Sequence, residues 1–563
     1  MKKQINPRRD FLRRATLGLG AGILAPLQHI AAPFNAKKES SNESTDTVHV
    51  RLLQTTDVHC QIHPHDELYW EDGQAVFRSA GGYATLQNMF NQLRTETPNT
   101  LVLDTGDMFQ GSQLSVKTEG DAMRTLLNAC NYDLFLPGNW EVIYGKERML
   151  SLMNGLNAPT ICTNMFHDNG QQQKGNFIFK PYEVKTIGGI RIGFLGYTDP
   201  LVPIRQSPNY SKGIIYTAPE ENLAEYVNIL RNEEKCSAVI MLAHLGLSQQ
   251  IALSNHPSCE GVDYILGGDT HERVRVPIPG KYAKVVEPGA FGSFIGQLDL
   301  FFKQGKLVQS EYALLDVDPS KQPKNPSMNQ LIDDVELEFE EAIYSVVGYS
   351  TIPLYRYFVI ENPIDTLVLQ ALHAQFPETD IVLSNGFRFC PPRTSPNDDG
   401  LIPITNGFIV DMLPVDSTVR QGKVTGQQLL DWLEKELNNV FAADASKRFG
   451  GWVVKFKGMT VRFYAFKPMG QRVESVNVGN QPLNPKAIYS ILACERDGDP
   501  EDMLCRMKGV QEAHNTRFTL HGVMAKYIKR NSPVTPTPEK NAIALDAPDT
   551  LLSQVTGVPY TFR

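Results

Sequence analysis

Asp57 and His59 set a carboxylate and an imidazole two residues apart, directly after an apolar run. In that run Val48, Val50 and Leu52 alternate with His49, Arg51 and Leu53, as the side chains of a strand do. Ligands of open α/β sheets gather just past the carboxyl ends of the strands. An Asp-x-His placed there offers a divalent cation one hard and one borderline donor. Four later apolar runs end alike. Residues 100–103 lead into Asp104-Thr105-Gly106-Asp107, and 134–136 into Pro137-Gly138-Asn139-Trp140-Glu141. Residues 238–243 stop at His244, and 262–266 at Gly267-Gly268-Asp269-Thr270-His271. Any one of these is ordinary, because an Asp after a strand usually caps a turn. Five together point to a metal centre, with Gly106, Gly138, Gly267 and Gly268 expected to let the backbone turn where the ligands converge.

The elements that must position these residues alternate between strand and helix, with helical patterns over 83–94 and 121–130. This alternation predicts an α/β layer structure. Around 308–330 the pattern loosens at Pro319, Pro323 and Pro326, and Ile332, Val335, Phe339 and Ile343 then recur at helical spacing among acidic residues. We read a first domain over 48–325, a linker helix over 326–349 and a second domain over 350–530. The second mixes a helix at 425–438 with strands at 452–457 and 459–464. Residues 531–563, with Pro533, Pro536 and Pro538, read as an extended tail.

Composition fits a soluble chain of two or three domains: 563 residues, 42% hydrophobic and 21% charged. A net charge of −8 disfavours a nucleic-acid surface. The eight scattered cysteines form no Cys-x-x-Cys pair and read mostly as buried thiols, with Cys494–Cys505 as a candidate disulfide. Residues 1–36 carry Arg8-Arg9-Asp10-Phe11-Leu12, then a short Gly/Ala-rich apolar run. That order is similar to a Tat signal peptide and implies a periplasmic protein with no membrane span after cleavage; Gly18, Gly20, Gly22 and Pro26 suit a spanning helix poorly.

The motif order Asp-x-His, Gly-Asp, Gly-Asn-x-Glu, single His and Gly-x-x-His resembles the calcineurin-like metallophosphoesterases. Gly81-Gly82, Leu103-Asp104-Thr105-Gly106-Asp107 and Ser384-Asn385-Gly386-Phe387-Arg388 narrow the resemblance to the two-domain 5′-nucleotidase family. It implies an N-terminal four-layer α/β/β/α domain, a C-terminal α/β domain and two divalent metals clamping a tetrahedral centre, with a bridging hydroxide as nucleophile. Carried over by position, one metal takes Asp57, His59, Asp104 and His271. The other takes Asp104, Asn139, His244 and Asp269, with Asp104 bridging and Asp107 ordering the loop. His is usual where Asp269 stands, and the extra carboxylate favours manganese, with zinc as the alternative. Asp104 and Asn139 are the implied catalytic residues together with Arg388. Trp140, Asn385 and Arg388 are the implied substrate contacts, a guanidinium fork suiting phosphate or sulfonate oxygens.

Phosphomonoesterases of this kind read Gly-Asn-His-Glu-x-Asp, whereas this chain reads Gly138-Asn139-Trp140-Glu141-Val142-Ile143. The lost His/Asp pair helps an alkoxide leave, work worth roughly 10²- to 10⁴-fold, and an indole cannot replace it because it does not titrate. The stretch Glu495-Arg496-Asp497-Gly498-Asp499-Pro500 also lacks an aromatic to stack on a base. Trp140-Glu141, residues 196–204 and Arg448-Phe449-Gly450-Gly451 are similar instead to the SoxB-like thiosulfohydrolase branch. That branch implies a cysteine-bound sulfonate on a carrier protein as substrate; a small anionic substrate is the other partner expected. A nucleotide phosphoesterase and a metal-retaining binding protein without turnover are the alternatives.

Overall fold

The computed structural model describes residues 47–384, 390–448 and 450–552. Two sheets form the heart of the N-terminal half. In the first, Thr47–Thr55 lies between Phe294–Lys303, antiparallel to it, and Thr100–Asp104, parallel to it, with Leu134–Phe135 beyond and Lys306–Asp316 at the far edge. In the second, Ala238–His244 runs parallel to both Ile190–Thr198 and Tyr264–Gly267. Every strand that ends in a proposed ligand is therefore an interior strand or a parallel neighbour of one, and all five deliver their ends to one rim.

Side-chain alternation explains the layering. Ala238, Ile240 and Leu242 join the core that contains Val50, Leu52 and Leu103, so this face packs against the first sheet. Their neighbours Val239, Met241 and Ala243 belong to a second core with Leu223, Leu230 and Leu247, under the outer helices. A strand buried on both faces reads as the continuous apolar run seen at 238–243. The helix Tyr83–Glu96 covers the first sheet with Leu86, Phe90 and Leu93. Helix plus sheet, sheet plus helix gives the four layers expected.

The C-terminal half holds a five-stranded sheet ordered Lys455–Lys457, Ile381–Ser384, Ile488–Cys494, Thr418–Thr425 and Gln511–Thr519. Its helix Gly426–Phe441 starts where the sequence says it should, with Thr425 and Gln428 capping each other's backbone. The single linker helix expected over 326–349 is two helices, Pro326–Glu336 and Glu340–Tyr344, followed by the strand Val346–Ser350. Glu336 is buried at the break, where it accepts from His63 Nε2 at 2.7 Å and from Tyr344 Oη at 3.1 Å. The acidic residues of this stretch are thus not all solvent-facing. Residues 532–552 of the expected tail run along the second domain: Val534 N donates to Tyr349 O, and Ala542–Ala544 pairs in parallel with Met459–Phe463. All eight cysteines are free thiols.

The halves meet beside the ligand rim. Asp66 Oδ2 accepts from Thr394 N and Oγ1, both at 2.8 Å, and Tyr357 Oη donates to Glu67. Gln110 Nε2 donates to Pro414 O at 2.7 Å, and Ser207 Oγ to Asp497 O at 2.6 Å.

Candidate metal centre

Two groups of buried donors share Asp57: Asp57, His59 and His271 form one, Asp57, Asp107 and His244 the other, with donor atoms within 4.8 Å in each. The histidines are aimed. His59 Nδ1 donates to Gln110 O at 2.7 Å and His244 Nδ1 to Thr105 O at 2.8 Å. Each carbonyl fixes the tautomer and leaves the Nε2 lone pair facing the centre. There His59 Nε2 stands 3.1 Å from His271 Nε2, and His244 Nε2 stands 3.2 Å from Asp107 Oδ2. Asp57 Oδ1 and His244 Nε2 are buried and accept no hydrogen bond.

Two carboxylates and three imidazoles in so small a dry volume are costly unless a cation neutralises them. Burial drives His59 down to about 4, helped by His271, which keeps it neutral and ready to donate a lone pair. Burial also opposes charge on Asp57, but His244, His271 and His59 outweigh it and hold the carboxyl below its ordinary range. These are the properties of a divalent-metal site: oriented imidazoles, ionised carboxylates and buried lone pairs without donors.

The backbone is strained where the ligands sit. Asp57 (φ 50°), His59 (φ 46°), Asp107 (φ 60°), Asp269 (φ 88°) and His271 (φ 59°) all adopt left-handed conformations. Each costs of order 1 kcal/mol for an L-residue and persists only because the surroundings dictate it. Of the four glycines expected to turn the chain, Gly106 does so (φ 106°). Gly138, Gly267 and Gly268 are needed for close approach instead. A Cβ on Gly138 would lie 2.3 Å from Asp107 Oδ1, and one on Gly268 2.2 Å from Thr56 Oγ1.

One expected ligand is displaced by this turn. Asp104 ends its strand with both oxygens occupied, Oδ2 by Thr55 Oγ1 at 2.6 Å and Oδ1 by Gly106 N at 2.9 Å. Burial pushes its carboxyl up to about 8. It belongs to neither donor group; the carboxylate that reaches both His244 and His59, at 3.2 and 3.8 Å, is Asp107. The left-handed pair Gly106 and Asp107 carries the chain from the strand into the centre, and the Gly-Asp step was the signal for it. Glu141 fixes that loop, accepting from Gly138 N, Asp107 N and Met108 N at 2.6, 3.0 and 2.7 Å.

Asn139 and Asp269 lie together at the rim, Asn139 Nδ2 donating to Asp269 Oδ1 at 2.5 Å. Asp269 Oδ1 is 3.9 Å from His244 Nε2. Trp140 is half-buried, and its backbone N–H donates to Asp107 Oδ1 at 2.8 Å. Asn385 and Arg388 lie outside the described residues. Sequence reasoning missed Arg205 and Gln206, which no strand end announces: Arg205 Nη1 donates to Asp269 Oδ2 at 2.9 Å and Gln206 Nε2 to Asn139 Oδ1 at 3.0 Å.

Residues 50–273 match the calcineurin-like phosphoesterase family, and residues 344–494 the 5′-nucleotidase C-terminal domain. The chain belongs to the metallophosphoesterase/5′-nucleotidase hydrolases. It is 24% identical over 528 residues to the trifunctional nucleotide phosphoesterase protein YfkN of Bacillus subtilis, covering 85% of this chain and 35% of that one. The chain thus spans about a third of the length of that relative. Among solved structures, sulfate thiohydrolase SoxB of Thermus thermophilus superposes with a TM-score of 0.79 at 22% identity, covering 91% of this chain and 99% of that one. The 5′-nucleotidase precursor of the same organism gives 0.76 at 22%, over 89% and 100%. At such identities these likenesses establish the fold. No helix of the described residues is long and apolar enough to cross a membrane.

Proposed function

We propose that the chain is an exported dinuclear-metal hydrolase that cleaves a sulfonate from a sulfur leaving group. In this reading one ion is held by Asp57, His59, Asp107 and His271, and the second by Asp107, Asn139, His244 and Asp269. Bound there, two divalent ions, manganese in this reading, would supply Lewis-acid charge and bring a water's pKa towards neutrality. The protein's part is positional. Gln110 O and Thr105 O orient His59 and His244, Glu141 sets the Asp107 loop, and the close-packed glycines keep the ligand loops together. By the family resemblance, Arg388 of the second domain is assigned to the anion, and Trp140 and Asn385 to substrate contact; Asn385 and Arg388 lie outside the described residues.

The observation that carries the reading is that no His/Asp pair follows Asn139, where the sequence runs Trp140-Glu141-Val142-Ile143. Trp140 stands there, and both oxygens of Glu141 are spent on backbone N–H groups. A thiolate-type leaving group is far less basic than an alkoxide and leaves without protonation. In the reaction the bond between the leaving sulfur and the sulfonate sulfur breaks with its electron pair on the leaving sulfur. A water oxygen bonds the sulfonate sulfur, and sulfate, a sulfur anion and two protons result. A cysteine-bound sulfonate on a carrier protein is the substrate this chemistry fits, and a small sulfonate is the other.

The test is manganese-loaded protein without residues 1–36, offered nucleoside monophosphates, p-nitrophenyl phosphate and S-thiosulfonated cysteine. Sulfate release without phosphate release is expected. Efficient phosphate release from nucleoside monophosphates would overturn the sulfonate reading in favour of a 5′-nucleotidase.

A further inference from the structure

Arg205 is the last residue of the short helix Val202–Arg205, in the segment that follows the Ile190–Thr198 strand. Its Nη1 donates to Asp199 Oδ2 at 2.7 Å and to Asp269 Oδ2 at 2.9 Å. Asp199 is itself fixed, its Oδ1 accepting from Leu201 N at 2.9 Å. The adjacent Gln206 holds Asn139, so two consecutive residues grip the two rim donors that flank His244. The segment is tethered on its other side too: Asn209 Nδ2 donates to Asp497 Oδ2 at 2.8 Å, and Arg496 to the carbonyl of Gln206 at 3.3 Å.

A guanidinium carries five N–H donors in a planar fork. Among the described residues both of Arg205's side-chain contacts use Nη1, and the side chain is 25% exposed. A tether through one nitrogen, on a side chain that is still a quarter exposed, gives what an oxyanion receptor needs: fixed orientation with donors to spare. Were Arg205 only a counter-ion for Asp269, Asp199 and the second half of the tether would be superfluous.

We propose that Arg205 is an anion-holding residue of the active site, donating from its open edge to an oxygen of the tetrahedral group under attack, on the Asn139–Asp269 side. It rests on the hydrolytic reading above. A fixed charge there stabilises oxygens of the transferred group but delivers no proton, so it favours substrates whose leaving group needs none. It also compensates the Asp that stands in place of a neutral His at 269.

The experiment compares wild type, Arg205→Gln and Arg205→Lys, each loaded with manganese. It measures manganese content, inorganic sulfate and phosphate binding by calorimetry, and kcat/KM for S-thiosulfonated cysteine and a series of aryl phosphates of graded leaving-group pKa. Arg205→Gln should keep two metals, bind both oxyanions at least tenfold more weakly and lose roughly 10²- to 10³-fold in kcat/KM, as removal of one preorganised donor does. The loss should be even across leaving groups, with Arg205→Lys recovering part of it. Loss of metal with oxyanion affinity per bound metal unchanged would overturn the proposal and make Arg205 a brace for Asp269. A loss that steepens with leaving-group basicity would overturn it as well. Should wild type turn over nothing while oxyanion binding still depends on Arg205, the hydrolytic reading fails and the anion site stands.

Discussion

Oδ2 of Asp107 stands 3.2 Å from Nε2 of His244, whose other ring nitrogen donates to the carbonyl of Thr105, two residues before that aspartate. One short loop therefore supplies both a ligand and the acceptor that aims a second ligand from the other sheet. Asp104 closes the preceding strand from within, bonded to Thr55 and Gly106.

The two aspartates should respond differently to loss of charge. Asp107→Asn is expected to lose at least one metal equivalent and nearly all activity. Asp104→Asn, already a neutral-like carboxyl, should retain both metals, with a stability cost of about 1–2 kcal/mol from its altered hydrogen bonds. Elemental analysis beside a denaturation curve separates them; metal loss in Asp104→Asn with Asp107→Asn intact would restore Asp104 as the bridge.

Gly138→Ala would drive a methyl into Asp107 Oδ1, 2.3 Å from the ideal Cβ. Backbone and carboxylate must part, so activity should fall by 100-fold or more at unchanged protein concentration, a misplacement of about 1 Å near the chemistry sufficing for that. Circular dichroism would show the fold retained while metal affinity drops.

Trp140→His with Ile143→Asp rebuilds the pair that phosphomonoesterases carry. We expect hydrolysis of alkyl phosphates to rise at least tenfold, because a proton can now follow the alkoxide. p-Nitrophenyl phosphate, whose leaving group needs little help, should change much less. Equal gains on both substrates would mean that the new residues act on binding rather than on departure.

Lys455 supplies a pH test remote from the centre. Buried with its ammonium on the carbonyl of Val359 at 3.1 Å and 3.8 Å from Asp365, it is pulled down by burial to about 8. Unfolded, it would titrate near the ordinary lysine value of 10.5. Below about 8 both states carry the proton. Between there and 10.5 the unfolded chain binds more protons, so stability must rise with pH over that window. Chemical denaturation of wild type against Lys455→Met at pH 8 and pH 10 should show the difference shifting in favour of wild type.

The sequence by itself determined the strand-end series, and with it the α/β class, the family and most of the cluster. These are local properties: apolar runs of strand length, glycines beside them, and donor types at the point where each run stops. Asp57, His59, His244 and His271 were legible because each lies at the end of a strand or within a few residues of it. Tertiary structure alone decided the rest. Whether Asp104 or Asp107 enters the centre depends on left-handed turns at Gly106 and Asp107, set by Glu141 and the approach of Gly138 and not by strand periodicity. The left-handed backbone at five of the cluster and rim residues is paid for by packing around the site, which no local propensity records. Arg205 lies 64 residues before Asp269 and ends no strand; only the folding of its segment against the second sheet's rim brings the two charges together.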